Sequence, residues 1–80
     1  MTKETLQKNI GLRIKQLRLQ KDISQQDLAA QCNFEKSNMS RLEAGNVNPS
    51  AYTLLKIAKS LNIEIKEILD FTQLDEYCSE

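Results

Sequence analysis

The stretch from Ser24 to Gly45, SQQDLAAQCNFEKSNMSRLEAG, restricts the fold of this chain more than any other segment. Apolar residues recur at helical spacing on both sides of Asn33, which indicates two short helices joined by a tight turn. Ser24 is a favourable residue immediately before one helix, and Gly45 is favourable just past the end of the other. A chain that reverses direction so abruptly needs a positive φ, and asparagine is the next best residue there after glycine. The segment therefore predicts two helices that cross at a turn centred on Asn33.

The two predicted helices differ in the side chains that they leave outside the core. Two short helices that cross steeply need a small residue at their contact, and Ala29 supplies a methyl group there. The expected core of the pair is Leu28, Ala29, Cys32, Phe34, Met39 and Leu42. The long polar side chains lie instead on the second helix, at Lys36, Ser37, Asn38 and Arg41. This arrangement is a helix-turn-helix, which predicts that the second helix makes the functional contacts.

Helical spacing of apolar residues also predicts three further helices. The first helix runs roughly from Glu4 to Gln20, and its other faces carry the cations Lys8, Arg13, Lys15 and Lys21. Its apolar face consists of Leu6, Ile10, Ile14 and Leu17. A fourth helix begins after Ser50 and ends at Asn62, which we expect to be left-handed; its apolar stripe is Leu54, Leu55, Ile57, Ala58 and Leu61. Ile65, Ile68 and Leu69 define a short fifth helix, so we expect an all-α fold of five helices.

The charges are unevenly distributed along the 80 residues. The formal net charge is zero, which at first argues against a nucleic-acid partner. All 11 Lys and Arg lie within residues 1–69 beside seven Asp and Glu, which gives this part a charge of +4. The four acidic residues after Leu69 give the remainder −4; they are Asp70, Asp75, Glu76 and Glu80. We expect one basic domain over residues 1–69 and an acidic C-terminal tail over residues 70–80.

Several classes of function are disfavoured by what the sequence contains. It has no run of about 20 apolar residues, so we expect no membrane contact. Cys32 and Cys78 match no metal or redox spacing, so we expect a cytoplasmic protein without metal or cofactor. There is no histidine and no glycine-rich phosphate loop, which leaves no catalytic residue to assign and argues against an enzyme.

The helix-turn-helix and its flanking segments closely resemble the Xre family of small phage and bacterial repressors, the Cro and cI-type domain. The resemblance runs from about Ile10 to Leu69 and includes RIKQLR before the motif and NPSAYTLLKIAKSLNI after it. Matching residues within the motif include Gln25, Ser40, Arg41 and Glu43. The resemblance implies a five-helix repressor-like DNA-binding domain that binds double-stranded operator DNA. It further implies a homodimer on a palindromic operator and control of transcription.

The resemblance assigns DNA contacts to individual residues. The second helix of the motif would lie in the major groove and read bases through Lys36, Ser37, Asn38 and Arg41. Lys36 and Arg41 suit guanine O6 and N7, whereas Asn38 suits either adenine or a phosphate. Phosphate contacts would come from Gln25, Asn46, Asn48, Ser50 and Tyr52. Arg18 and Glu43 match a pair that forms a structural salt bridge in the family.

The chain departs from the family pattern at five positions. Asp22, Asn33 and Asn62 stand where the family prefers glycine, and all three residue types tolerate a positive φ. Glu35 and Glu64 stand where a serine or threonine would cap a helix, and glutamate caps weakly. Glu35 also lies close to the expected path of the DNA phosphates, which disfavours tight binding.

Two alternatives stay open for the C-terminal tail and two for the function. The tail is either disordered or a short helix that contributes to a dimer interface through Ile68, Phe71, Leu74 and Cys78. The first functional hypothesis is the DNA-binding regulator, whether in a restriction–modification, a phage or a toxin–antitoxin system. The second is a protein-interaction module, such as an antitoxin component that binds a toxin or another protein partner.

Overall fold

The computed structural model of the protein describes residues 1–74. These residues form five α-helices, a closing 3₁₀ turn and no strand, so the all-α, five-helix prediction is confirmed. The elements are α1 (Lys3–Gln20), α2 (Gln25–Gln31), α3 (Lys36–Glu43), α4 (Ala51–Leu61), α5 (Ile65–Ile68) and the 3₁₀ turn (Phe71–Gln73). Within the described part of the chain, no helix is both long and apolar enough to span a membrane.

Hydroxyl side chains cap three of the helices. Thr2, Ser24 and Ser50 precede α1, α2 and α4, and each accepts a hydrogen bond from the backbone N–H three residues later, at 3.0–3.1 Å. Glu35 precedes α3 and makes no such bond. The helix that carries the polar residues of the motif therefore begins without a side-chain cap, as its sequence predicts.

The chain turns between helices at residues with left-handed backbone. Asp22, Asn33 and Asn62 have φ of 58°, 60° and 58°, which confirms the prediction made for each of them. Gly45 follows α3 with φ of 82°, and a Cβ atom at this position would lie 2.8 Å from the Cα of Lys8. Each turn is short because one such residue is enough to redirect the backbone.

The hydrophobic core lies between α1, the motif and α4. Its buried residues are Ile10, Ile14, Leu17, Leu28, Ala29, Cys32, Met39, Leu42, Leu54, Ile57, Ala58, Leu61 and Ile68. Three residues expected on apolar faces are not fully buried: Leu55 is 39% exposed, and Leu6 and Phe34 are only partly buried. Phe34 packs at the edge of the core, where the ammonium of Lys56 lies 4.8 Å from its ring centroid.

Helix α1 crosses the end of α3 with direct backbone contact at Gly11. A Cβ atom at Gly11 would lie 2.5 Å from the carbonyl oxygens of both Leu42 and Glu43. Real Cβ atoms do not approach oxygen so closely, so only glycine permits this crossing. The distance between the α1 and α3 axes is thus set by the absence of a side chain at one position.

Arg13 connects α1 to the C-terminal part of the fold. The sequence predicted an exposed cation, but the side chain is 5% exposed, and its Nε donates to the Glu67 carbonyl at 2.7 Å. Its Nη1 donates to the Gln16 side chain at 2.7 Å, and Gln16 in turn donates to the Gln73 carbonyl at 2.7 Å. The prediction was wrong because the carbonyl that accepts from Arg13 comes from a helix 54 residues away along the chain.

Packed structure therefore continues beyond Leu69, where we expected the domain to end. Phe71 packs on the core, and Asp70 accepts hydrogen bonds from the hydroxyl and the backbone N–H of Thr72, at 2.5 and 3.3 Å. The Thr72 hydroxyl is the main cause of a lowered pKa at Asp70, and the positive charge of Arg13 acts in the same direction. The described part of the acidic tail is thus folded against α1.

The expected dimer interface needs a correction. Ile68 is fully buried in its own protomer, so its side chain cannot contact a second copy, and the expectation for this residue was wrong. Phe71 and Leu74 are half-buried. Cys78 lies outside the described residues.

Replacing Gly11 by alanine tests the close crossing of α1 and α3. Helix propensity alone predicts that Gly11→Ala stabilises the protein by about 1 kcal/mol. The contact with two carbonyl oxygens predicts the opposite sign, a loss of about 1–3 kcal/mol, because the new methyl group forces the helices apart. Urea denaturation of the wild-type and variant proteins measures the difference. A stabilised variant would show that the two helices are not in contact at this point.

Candidate nucleic-acid interface

Helix α3 has one face in the core and one in solvent. Met39, Leu42 and Glu43 are buried against the rest of the domain. The four polar residues predicted to read bases are all exposed; they are Lys36, Ser37, Asn38 and Arg41. The sequence spacing thus separates the two faces of α3 as the helical period requires. An exposed, uncapped helix that carries two cations has the dimensions to enter a DNA major groove.

A buried salt bridge fixes the end of α3 against α1. The Arg18 Nε lies 2.7 Å from Glu43 Oε2, and its Nη2 donates to Oε1 at 3.0 Å. The two side chains are only 8% and 3% exposed. The remaining Nη1 of Arg18 donates to the Ile23 carbonyl at 2.8 Å. A two-point contact of this kind defines both the distance and the rotation of α3 relative to α1.

Gln25, at the first turn of α2, joins the same network. Its Nε2 donates to Glu43 Oε1 at 3.1 Å, and the residue is half-buried. A carboxamide nitrogen carries two hydrogens, so this bond uses one of the two donors of Gln25. The N-terminus of α2 is thereby connected to the C-terminus of α3.

A depression of about 370 Å³ lies between α3 and the start of α4. Its lining includes two of the predicted base-reading residues, Asn38 and Arg41, and two of the predicted phosphate-binding residues, Asn48 and Ser50. The apolar part of the lining consists of Phe34, Leu42, Val47 and Pro49. The structure thus brings residues from both predicted groups to one surface.

Two further predicted phosphate-binding residues do not line this depression. Asn46 is exposed in the loop after α3, and Tyr52 is 69% exposed in the first turn of α4. The Lys56 ammonium lies 5.7 Å from the Tyr52 ring centroid. The hydroxyl of Ser50 is engaged in the cap of α4, where it hydrogen-bonds the Thr53 side chain and backbone at 3.0 and 3.1 Å.

Sequence reasoning missed two residues that position α3. Gly11 determines how closely α1 and α3 approach, and Gln7 donates from its Nε2 to the Gly45 carbonyl at 3.2 Å. A signal for Gly11 existed, because a glycine inside a strongly periodic helix is unfavourable unless packing requires it. No comparable signal exists for Gln7, since its bond joins residues 38 positions apart.

These features define a helix-turn-helix domain with its second helix exposed. Residues 13–73 match the model of the Cro/C1-type HTH DNA-binding domain, and the chain belongs to that family. The predicted resemblance to the Xre family is confirmed, and the protein is a regulator that controls transcription by binding DNA.

Three relatives illustrate the similarity. Control protein C.BamHI of Bacillus amyloliquefaciens is 37% identical over 65 residues, which cover 80% of each chain. The immunity repressor protein of Bacillus phage phi105 is 33% identical over 60 residues, 75% of this chain and 42% of the repressor. The crystal structure of the restriction–modification controller protein C.AhdI from Aeromonas hydrophila has a TM-score of 0.74 and 34% identity. That similarity covers 76% of this chain and 92% of the controller.

Glu43→Gln tests the importance of the buried pair. Removing the carboxylate leaves the Arg18 charge buried without a counter-ion, so we expect a loss of about 3–5 kcal/mol in the free energy of unfolding. Glu64→Gln is a matched control, because Glu64 pairs with Lys66 at 3.2 Å but the two side chains are 72% and 81% exposed. An exposed pair contributes under about 1 kcal/mol. Equal and small effects of both variants on the urea midpoint would contradict a buried ion pair.

Proposed function

We propose that this protein binds a palindromic operator as a homodimer, with α3 of each protomer in the major groove. The proposal rests chiefly on the exposed face of α3, where Lys36, Ser37, Asn38 and Arg41 project away from a rigidly held helix. In helix-turn-helix proteins the second helix of the motif supplies the base contacts, and the first crosses the backbone. The two cations match guanine, whose O6 and N7 both accept hydrogen bonds in this groove.

The phosphate contacts flank the reading helix on two sides. Gln25 lies at the start of α2, and Asn46, Asn48, Ser50 and Tyr52 lie in the loop and first turn before and within α4. Donors from these residues would fix the position of α3 without reading sequence. The depression beside α3 supports phosphate and base contacts at one surface, since Asn48 and Ser50 share its lining with Asn38 and Arg41.

Dimerisation through the C-terminal end of the fold is part of the proposal. Leu69 follows α5 and is 44% exposed, which makes it a better contact residue than the buried Ile68. Phe71 and Leu74 are half-buried and would complete the apolar contact. Twofold symmetry of the protein requires two half-sites about one helical turn apart, roughly 34 Å between centres. A domain of this size also gains stability from a partner, because its own core is small.

Selection of binding sites from random DNA tests the proposal. The wild-type protein should return a twofold-symmetric sequence, bound by two protomers. Arg41→Ala should relax the preference at one symmetric base pair and cost about 1–3 kcal/mol on the selected site. Gln25→Ala should weaken selected and random DNA alike. Lys15→Ala is the control, because it removes an equal charge from an exposed position of α1 that has no role in the proposed DNA contacts or the dimer contact.

Two outcomes would contradict the proposal. Equal losses on selected and random DNA with Arg41→Ala would remove the base-reading role of that residue. A wild-type protein that binds no DNA but purifies with a stoichiometric protein partner would favour the interaction-module hypothesis. No catalytic step enters the proposal, since the relatives named above are regulators and controllers.

A further inference from the structure

We propose that Asn38 positions Arg41 for guanine and does not itself read adenine, an inference that rests on the proposed function. A hydrogen bond within α3 carries it: the Nη2 of Arg41 donates to the Oδ1 of Asn38. The two residues lie three positions apart on the exposed face, where side chains of one helix turn meet. The sequence alone left Asn38 with two roles, and this bond distinguishes between them.

The bond determines which group Asn38 presents to its surroundings. A guanidinium group only donates, so the carboxamide oxygen of Asn38 must face it and the NH₂ group points away. Adenine is read by an asparagine that accepts from N6 at its oxygen while it donates to N7. Here the Nη2 of Arg41 already donates to that oxygen, so the adenine amino group, also a donor, would compete with it. The pair therefore favours base edges and phosphates that accept hydrogen bonds.

The same bond reduces the freedom of Arg41 before DNA arrives. An arginine side chain has many rotamers, and ordering it on binding costs affinity. The guanidinium has five N–H donors and uses one of them on Asn38, so a planar pair remains for guanine O6 and N7. Both residues also line the depression beside α3, which places them on one wall of the surface. Asn38 thus acts through Arg41 as a positioning residue.

Three variants of exposed α3 residues test the inference in the site-selection experiment. Arg41→Ala first identifies the base pair that Arg41 reads. Asn38→Ala should then reduce the guanine preference at that same base pair by roughly three- to tenfold, the effect of ordering one long side chain. Adding Asn38→Ala to Arg41→Ala should cause no further loss at this position. Ser40→Ala is the matched control, because Ser40 is exposed on α3 but has no assigned DNA contact, and it should leave the preference at this base pair unchanged.

Asn38→Asp separates positioning from a direct contact. Aspartate keeps an oxygen that accepts from Arg41. The guanine preference at the base pair that Arg41 reads, which Asn38→Ala reduces, should therefore be restored in Asn38→Asp. Its negative charge should weaken binding to every sequence, because it repels the phosphates. A merely structural role of Asn38 predicts no such rescue of base preference.

Two results would overturn the inference while leaving the proposed function intact. One is a loss of preference at a separate A·T pair with Asn38→Ala, which would show that Asn38 reads adenine directly. The other is an unchanged guanine preference in Asn38→Ala. A wild-type protein that selects no sequence would overturn the proposed function and this inference together.

Discussion

The buried ion pair between Arg18 and Glu43 fixes the position of α3 against the rest of the fold. Two charges that are almost fully removed from water attract strongly but are costly to desolvate, so the pair is favourable only with complete hydrogen bonding. That condition is met: the guanidinium also donates to the Ile23 carbonyl, and the carboxylate also accepts from Gln25. The ion pair at the end of α3 thereby joins α1, the turn before α2 and the first turn of α2.

Rigidity at the end of α3 has a direct consequence for its outer face. The backbone contact at Gly11 and the ion pair together restrict sliding and rotation of α3 relative to α1. The side chains of Lys36 and Arg41 are therefore held outward before any DNA is bound. Interfaces that are ordered in advance lose less entropy on binding, which leaves more of the contact energy for affinity and base discrimination. A small domain without a large core reaches this order through a few specific polar contacts.

Local features of the sequence predict most of this fold. The three left-handed turns follow from residue type at Asp22, Asn33 and Asn62, and the caps of α2 and α4 follow from Ser24 and Ser50. Both depend on neighbours within a few residues, where sequence reasoning is strongest. The exposed face of α3 is predictable for the same reason, since the helical period alone assigns it.

Long-range contacts account for what the sequence does not predict. From the sequence, Arg13 is expected to be a surface cation, but in the structure it donates to the Glu67 carbonyl. Ile68 is expected to be an interface residue, but it is buried in the core. The link between Asn38 and Arg41 is local, yet its existence depends on side-chain rotamers that the spacing does not specify. Fold class thus depends on periodicity, whereas the details of recognition depend on geometry that only the folded chain defines.

Chemical protection of a bound operator tests most directly whether α3 lies in the major groove. Guanine N7 faces the major groove and adenine N3 faces the minor groove, so dimethyl sulfate reports on the two grooves in one reaction. With α3 in the major groove, we expect protection of guanine N7 in each half-site and continued reactivity of adenine N3 at the same positions. Protection of adenine N3 with fully reactive guanine N7 would place the protein in the minor groove and rule out this position of α3.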